Sequence, residues 1–422
     1  MNLLDDLKWR GLFAQSTDEE ALKEALARPI TLYIGFDPTA PSMGIGNLVV
    51  VLVLRRFQLA GHHPIALVGG ATGLVGDPGG RNEERVLNSE DVVAQWAGRF
   101  RQQLSQYLDF EAPTNPARIV NNLDWIAPMS AIEFLRDIGK HFSVNQMLAK
   151  ESVSARLESG GISYTEFSYQ VLQSLDFLEL YRRFNCTLQV GGSDQWGNIV
   201  AGLDLIRRVE GASAHTLTVP LLMKADGTKF GKTASGNLWL DPAMTSPYAF
   251  YQYWLASDDR DVIKFLKVFS FMSHEEILVI EKSHVENPGL RTAHRALARE
   301  LTTLVHSAQD CERVEAASRA LFGQGDLKDL DEATLESAIS ELPYASLATL
   351  DDIPTWVDLI VASGVVDSKS AARRIIKEGG AYLNNEKITG EDFSPKLSDF
   401  LFGRFALLRK GKRDLAAVKV SK

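Results

Sequence analysis

Two hydrophobic rhythms divide the 422-residue chain. Over roughly the first 220 residues, short apolar runs at Thr31–Phe36, Pro64–Gly69, Arg118–Asn121 and Thr187–Val190 end in Gly or Asn, as strands buried on both faces do. Helical patterns lie between them, around Glu90–Phe110, Ala131–Ile138 and Tyr164–Phe184. Strands alternating with helices predict an α/β fold, a parallel sheet with helices on both faces. Leu48–Leu54 is apolar throughout and its valines suit a strand, but its place between a loop and Arg55-Arg56 favours a buried helix. From about Ser246 to Phe322 strand signals thin out, and amphipathic runs at Val262–Phe269, Glu275–Lys282, Thr292–Val305 and Cys311–Leu321 predict a helical region. Gly323–Leu350 is acidic and turn-rich and reads as a connector. Trp356–Ala362 and Ser370–Lys377 then read as short helices, with Ala381–Leu383 and Phe405–Leu408 as strands.

The punctuation between these elements carries the chemistry. After the first strand, Asp37-Pro38-Thr39 leads through Gly44-Ile45-Gly46-Asn47 into the apolar helix, an order in which backbone N–H groups and the helix dipole converge on phosphate. That stretch nearly fits the dinucleotide fingerprint, but Val49 stands where a third glycine belongs, and Gly227–Thr233 misses the phosphate-loop spacing by one residue. A third loop holds six glycines between Gly69 and Gly80, with Asp77 inside it and Arg81 and Arg85 following. Asp77 suits a ligand's ammonium group as well as it suits capping a turn. Gln189-Val190-Gly191-Gly192-Ser193-Asp194-Gln195-Trp196 is again strand, double glycine and helix start. Tyr169, Gln173 and Asp176 share one helix face, a phenol, an amide and a carboxylate where a solvated stripe would carry Lys and Glu. Lys229 and Lys232 flank glycine in a loop fit to close over polyphosphate, although such lysines are usually just solvated.

Composition narrows the class. The apolar and charged fractions, 45% and 23%, are ordinary for a soluble globular protein. Acidic residues near the start argue against a signal peptide, no run is long enough for a membrane span, and two distant cysteines fit a reducing cytoplasm. The net charge of −9 is uneven: residues 354–422 carry 13 Lys+Arg against 8 Asp+Glu (+5), leaving −14 on the rest. A basic tail on an acidic body suits an anionic partner for the tail, with a merely solvated surface equally open. The eight histidines show no metal-ligand spacing, so no protein-ligated metal is expected, and no nucleophile elbow is present.

Taken together, Tyr33-x-Gly35-Phe36-Asp37-Pro38-Thr39-Ala40, Gly69–Gly73, Gly76-Asp77-Pro78, Tyr169-x3-Gln173-x2-Asp176, Gln189–Asn198 and Lys229-Phe230-Gly231-Lys232-Thr233 resemble bacterial tyrosyl-tRNA synthetase, a class I aminoacyl-tRNA synthetase, over essentially the whole chain. The resemblance implies a Rossmann-like parallel-sheet catalytic domain (1–220) binding tyrosine and ATP, and a lysine loop with an α-helical anticodon-binding region (221–325). A linker (326–352) and a small C-terminal α+β RNA-binding module (353–422) would follow. Tyr33 and Asp176 would clasp the phenol hydroxyl of L-tyrosine, in the family that is the standard case of a site rejecting an analogue lacking its hydroxyl. Asp77, Tyr169 and Gln173 would hold the ammonium, and Gln195 would lie near the carboxylate. Asp37, Gly46, Gly191, Gly192, Asp194 and Lys232 would bind ATP. Thr39, Lys229, Lys232 and Thr233 would meet charge developing on the phosphates. ATP with Mg2+ as substrate, tRNA(Tyr) as partner, a homodimer and a cytoplasmic location also follow from the resemblance.

One position departs from the family. Class I synthetases carry His-Ile-Gly-His where this chain reads Gly44-Ile45-Gly46-Asn47. Asn47 keeps an N–H donor, whereas Gly44 has no side chain to give. Three readings follow: an active tyrosine–tRNA ligase, a weakened or inactive paralogue or variant that binds tyrosine or tRNA without efficient activation, and a nicotinamide-dependent oxidoreductase. Val49 and the basic tail count against the last.

Overall fold

The computed structural model describes residues 2–78, 88–150, 153–154, 156–157, 161–228, 230–233, 236–351, 353–411 and 414–420, with the side chains of 232 and 233 excepted. Two compact units emerge, one of residues 1–241 with 258–293 and the other of 242–257 with 294–422.

The first unit is built on a six-stranded sheet: β1 (Gln15–Ser16), β2 (Thr31–Phe36), β3 (His63–Val68), β4 (Arg118–Asn121), β5 (Cys186–Gly192) and β6 (His215–Val219), in the order β1-β6-β5-β2-β3-β4. All neighbours run parallel except the β1–β6 pair. In β2, Leu32, Tyr33, Ile34 and Phe36 are all buried, as expected of a central strand covered on both faces. The valine-rich stretch lies in helix α1 (Ile45–Leu59), buried almost all round and packed on β2, β3 and α2 (Glu90–Tyr107). A helix apolar on every side belongs in a core, which is why its pattern imitates a strand. Helix α3 (Tyr164–Phe184) opens on a Ser163 cap and ends at Asn185 in the left-handed region (φ 50°). Its Val171, Leu175 and Leu178 join a core cluster with Phe177, Tyr33, Ile65 and Trp125, and helix α4 (Trp196–Glu210) packs beside it.

The structure departs from the sequence expectation in four places. Strand β6 buries Thr216 and Thr218 completely, so its His-Thr-Leu-Thr-Val run has no apolar signature. The stretch expected as a helix over 131–138 begins α-helical at Ala131–Glu133 and widens to a π-helix at Phe134–Ile138. Two short strands, β7 (Lys232–Thr233) and β8 (Gly236–Asn237), pair antiparallel. In the second unit, the segment expected as a linker (326–352) contains a helix, Glu332–Ser340, and strand β9 (Tyr344–Leu347).

Strand β9 belongs to a five-stranded sheet with β10 (Ala381–Leu383), β11 (Glu386–Lys387), β12 (Phe405–Lys410) and β13 (Asp414–Val420), ordered β11-β10-β12-β13-β9. It pairs parallel with β13, some 70 residues later, a partner no local pattern announces. Helix Trp356–Ala362 and helix Lys369–Lys377 contribute to the core on this sheet, where Trp356 is fully buried and donates to the Tyr382 carbonyl at 3.1 Å. Helices Pro247–Leu255, Ala308–Leu321 and most of Thr292–Val305 complete the unit.

Candidate active site

Strands β2 and β5 are neighbours, with β3 beyond one and β6 beyond the other, so the strand order reverses between them. Open α/β sheets bind ligands at the carboxyl ends of such a pair. A cavity of about 250 Å³ lies there. Its lining brings together Tyr33, Asp37, Thr39, Asn47, Asp77, Tyr169, Gln173, Asp176, Gly191, Gly192 and Gln195, residues from five separate motifs. Gly44 and Gly46 are not in that lining but stand at and beside the cap of α1, whose Asn47 is; exposed Asp194 precedes Gln195. Lys229, Arg81 and Arg85 lie outside the described residues, and Lys232 and Thr233 are described only through the backbone of β7.

One end of the cavity is organised around Asp176. Its carboxyl is buried and accepts from Trp125 Nε1 at 2.9 Å and from Asn122 Nδ2 at 3.0 Å. Burial, opposed by those two hydrogen bonds and reinforced by the Asp37 and Glu179 charges, raises it to about 8. Burial, and then the nearby Asp176 carboxyl, hold the Tyr33 phenol well above its ordinary range. The Tyr33 hydroxyl is buried with no hydrogen-bond partner among the described residues, and so is Gln173 Oε1. Buried polar atoms left unpaired are costly, so both invite a ligand's polar groups.

A chain of bonds ties that end to the loop after β2. Asn122 Nδ2 also donates to Thr72 Oγ1 (3.0 Å), Thr72 donates to Asp37 Oδ1 (2.7 Å), and Tyr169 donates to Asp37 Oδ2 (2.7 Å). Asp37, expected on the ATP side, thus has both oxygens engaged within the protein. Across the cavity Gln195 Nε2 donates to Asp77 Oδ2 at 2.5 Å. Asn122, Trp125 and Thr72 were missed from sequence; the only local hint was an Asn pair closing β4, which proves to be a part-exposed edge strand and not the buried one its run suggests.

Glycines separate protein packing from open space. A Cβ on Gly69 would lie 2.0 Å from Asp37 Oδ1, and one on Gly70 2.3 Å from Asn121 Oδ1, so both are required by the protein's own contacts. A Cβ on Gly46 would meet nothing within 4 Å, and one on Gly44 only the Leu238 carbonyl at 3.6 Å. Gly44 has φ −92° and ψ 172°, extended backbone open to any residue, and its N–H donates to Asn47 Oδ1 at 3.1 Å.

This sheet and its switch-point cavity fit a class that comparison with known proteins supplies: residues 24–323 match the family described as tRNA synthetases class I (W and Y). Residues 334–418 match the tyrosine–tRNA ligase SYY-like C-terminal domain. Among curated relatives, the tyrosine–tRNA ligase of Streptomyces avermitilis is 62% identical over 100% of this chain and 99% of its own length. That of Corynebacterium glutamicum is 55% identical over 100% of both. A C-terminally truncated mitochondrial tyrosyl-tRNA synthetase from Aspergillus nidulans superimposes with TM-score 0.68 at 29% identity, covering 76% of this chain and 94% of that one. Tyrosyl-tRNA synthetase from Archaeoglobus fulgidus, complexed with L-tyrosine, shares the fold (TM-score 0.55, 16% identity, 74% of this chain and 99% of that one). The chain belongs to the tyrosine–tRNA ligases, class I aminoacyl-tRNA synthetases that use ATP to join tyrosine to tRNA(Tyr). Among the described residues, no helix is long and apolar enough to cross a membrane.

Proposed function

We propose that the β2–β5 cavity activates L-tyrosine and that its residues divide the work by position. The observation that carries this is the pair of unpartnered buried atoms, Tyr33 OH and Gln173 Oε1, in the same cavity as the Asp176 carboxyl. Tyr33 and Asp176 bind the phenol hydroxyl, one donating and one accepting. Asp77, Tyr169 and Gln173 hold the ammonium, with Asp37 fixing the Tyr169 phenol from behind. Gln195 steadies the carboxylate, which attacks the α-phosphorus of ATP; the P–O bond to pyrophosphate breaks as the acyl–phosphate bond forms. No covalent enzyme intermediate is needed, because positioning and charge stabilisation do the work.

Gly191, Gly192 and Asp194 take the ribose, and Gly46, with open space where a Cβ would be, lets adenine approach. Thr39, Lys229, Lys232 and Thr233 face the phosphates. Magnesium enters as part of the substrate, held by the nucleotide. A ribose hydroxyl of tRNA then attacks the adenylate carbonyl and AMP leaves.

The first unit performs this chemistry, and the second, with its basic C-terminal module, holds tRNA. The enzyme acts as a cytoplasmic homodimer, for which exposed Ile132, Leu135, Val144 and Tyr164 offer an apolar surface.

Gly44-Ile45-Gly46-Asn47 is a working variant of the His-Ile-Gly-His motif, with Asn47 already spending its carbonyl on the helix cap. Losing one transition-state donor costs on the order of 3 kcal/mol, roughly a hundredfold in rate. Tyrosine-dependent pyrophosphate–ATP exchange is therefore expected from this chain and a rate up to about a hundredfold higher from Gly44→His, which the backbone admits without strain. Purified protein with no exchange at any ATP concentration overturns the reading. tRNA charging measured beside exchange at rising salt tests the module: charging should weaken steeply while exchange holds.

A further inference from the structure

We infer that Phe230 is a positioning residue for adenylate formation, its ring anchoring the root of the lysine loop on helix Val262–Phe269. The ring sits 4.9 Å from that of Phe265 and 5.5 Å from that of Phe269, centroid to centroid. Those two lie one turn apart on helix Val262–Phe269 and are buried, so the seat is rigid.

The next residue, Gly231, turns at φ +82°, and a Cβ there would lie 2.5 Å from Ile45 Cγ2. The Gly231 carbonyl accepts from Leu238 N–H at 3.0 Å, and the Leu238 carbonyl accepts from Ile45 N–H at 3.0 Å. Gly44 forms a β-bridge with Trp239, and Leu240 N–H donates to the Met43 carbonyl at 3.0 Å. The loop is thus stitched by backbone to the first turn of α1.

The last turn of α1 is tied to the same aromatic helix. Arg56 Nη2 donates to the Ser270 carbonyl at 2.5 Å, an acceptor it shares with Arg10 Nη1 of the N-terminal segment at 3.2 Å. Helix α1 is therefore tied to the end of helix Val262–Phe269 by its last turn and to the Leu238–Leu240 segment by its first. Phe230 is the side chain through which the loop grips helix Val262–Phe269. Between the aromatic seat and the Gly231–Leu238 bond, the backbone path into β7 at Lys232 is set by contacts remote from the reacting atoms. This rests on the reading that Lys232 meets the phosphates; misplacing such a group by about 1 Å costs roughly a hundredfold in rate.

Full-length Phe230→Ala and Phe230→Leu, assayed for tyrosine-dependent exchange across ATP concentrations, with tyrosine affinity from calorimetry and the melting temperature alongside, test the inference. Phe230→Ala is expected to lose roughly tenfold or more in exchange through kcat and the KM for ATP, with tyrosine affinity within about twofold and melting little changed. Phe230→Leu, which keeps an apolar anchor, should recover most of the loss. Exchange within about twofold of the unsubstituted chain, or a loss matched by equal loss of tyrosine binding, overturns the positioning role. Exchange absent from the unsubstituted chain instead overturns the ligase-site reading, and this inference with it.

Discussion

Asp176 shows how one residue's surroundings set its chemistry. Its carboxyl stands at about 8 in the folded protein against 3.8 ordinarily, so between those values the native state holds a proton the unfolded chain has released. The stability tied to that proton is fully present below about 4 and is lost as pH rises through about 8. Urea unfolding of the unsubstituted chain should therefore lose stability relative to Asp176→Asn between about pH 5 and 8.5, by up to about 1.4 kcal/mol per pH unit. Parallel pH curves for the two proteins would show that the carboxyl is ionised throughout. The same burial makes a phenol hydroxyl a fitting partner, since it supplies a hydrogen bond without bringing in a second charge.

At the scale of the element, the loop after β3 is held by contacts that leave no room for side chains. Gly69→Ala would press a methyl against Asp37 and Thr72, breaking the bond that orients Tyr169. A loss of roughly 1–3 kcal/mol in stability and about tenfold in tyrosine affinity is expected, read by thermal melting and calorimetry. Gly46→Ala is the contrast. Its methyl meets no protein atom, so melting should stay unchanged while the KM for ATP rises. If the two substitutions behave alike, the division between glycines kept for packing and a glycine kept for ligand is wrong.

For the whole molecule, the proposed homodimer bears on the exposed apolar residues between 132 and 164. Ile132 and Tyr164 are 69% and 70% exposed, and Leu135 and Val144 are exposed as well. In the proposed homodimer a second copy would cover them and stabilise both by apolar burial. Ile132→Asp with Leu135→Asp should convert a dimer to a monomer in sedimentation; an unsubstituted chain that sediments as a monomer refutes the dimer directly. The charge division belongs to this scale too. A −14 body and a +5 tail support the proposal that the C-terminal module attracts the polyanion.

Much of this was legible in the sequence because the signals are local. Apolar runs closed by Gly or Asn located four of the six strands, helix spacing placed Tyr169, Gln173 and Asp176 together, and glycine-rich turns marked both walls of the cavity. What escaped was whatever a distant partner decides. Thr216 and Thr218 are strand residues because a sheet buries them, and β9 is a strand because β13 lies beside it. Thr72, Asn122 and Trp125 join the site only through partners 35 to 54 residues away. The sequence by itself determined the family, the order of most elements and which residue types line the cavity, since periodicity and turn chemistry act within a few residues. Only the tertiary structure decided which polar groups satisfy one another, which glycines are held by packing and which face open space, and where the lysine loop is rooted. Those are set by contacts that exist only once the chain has closed on itself.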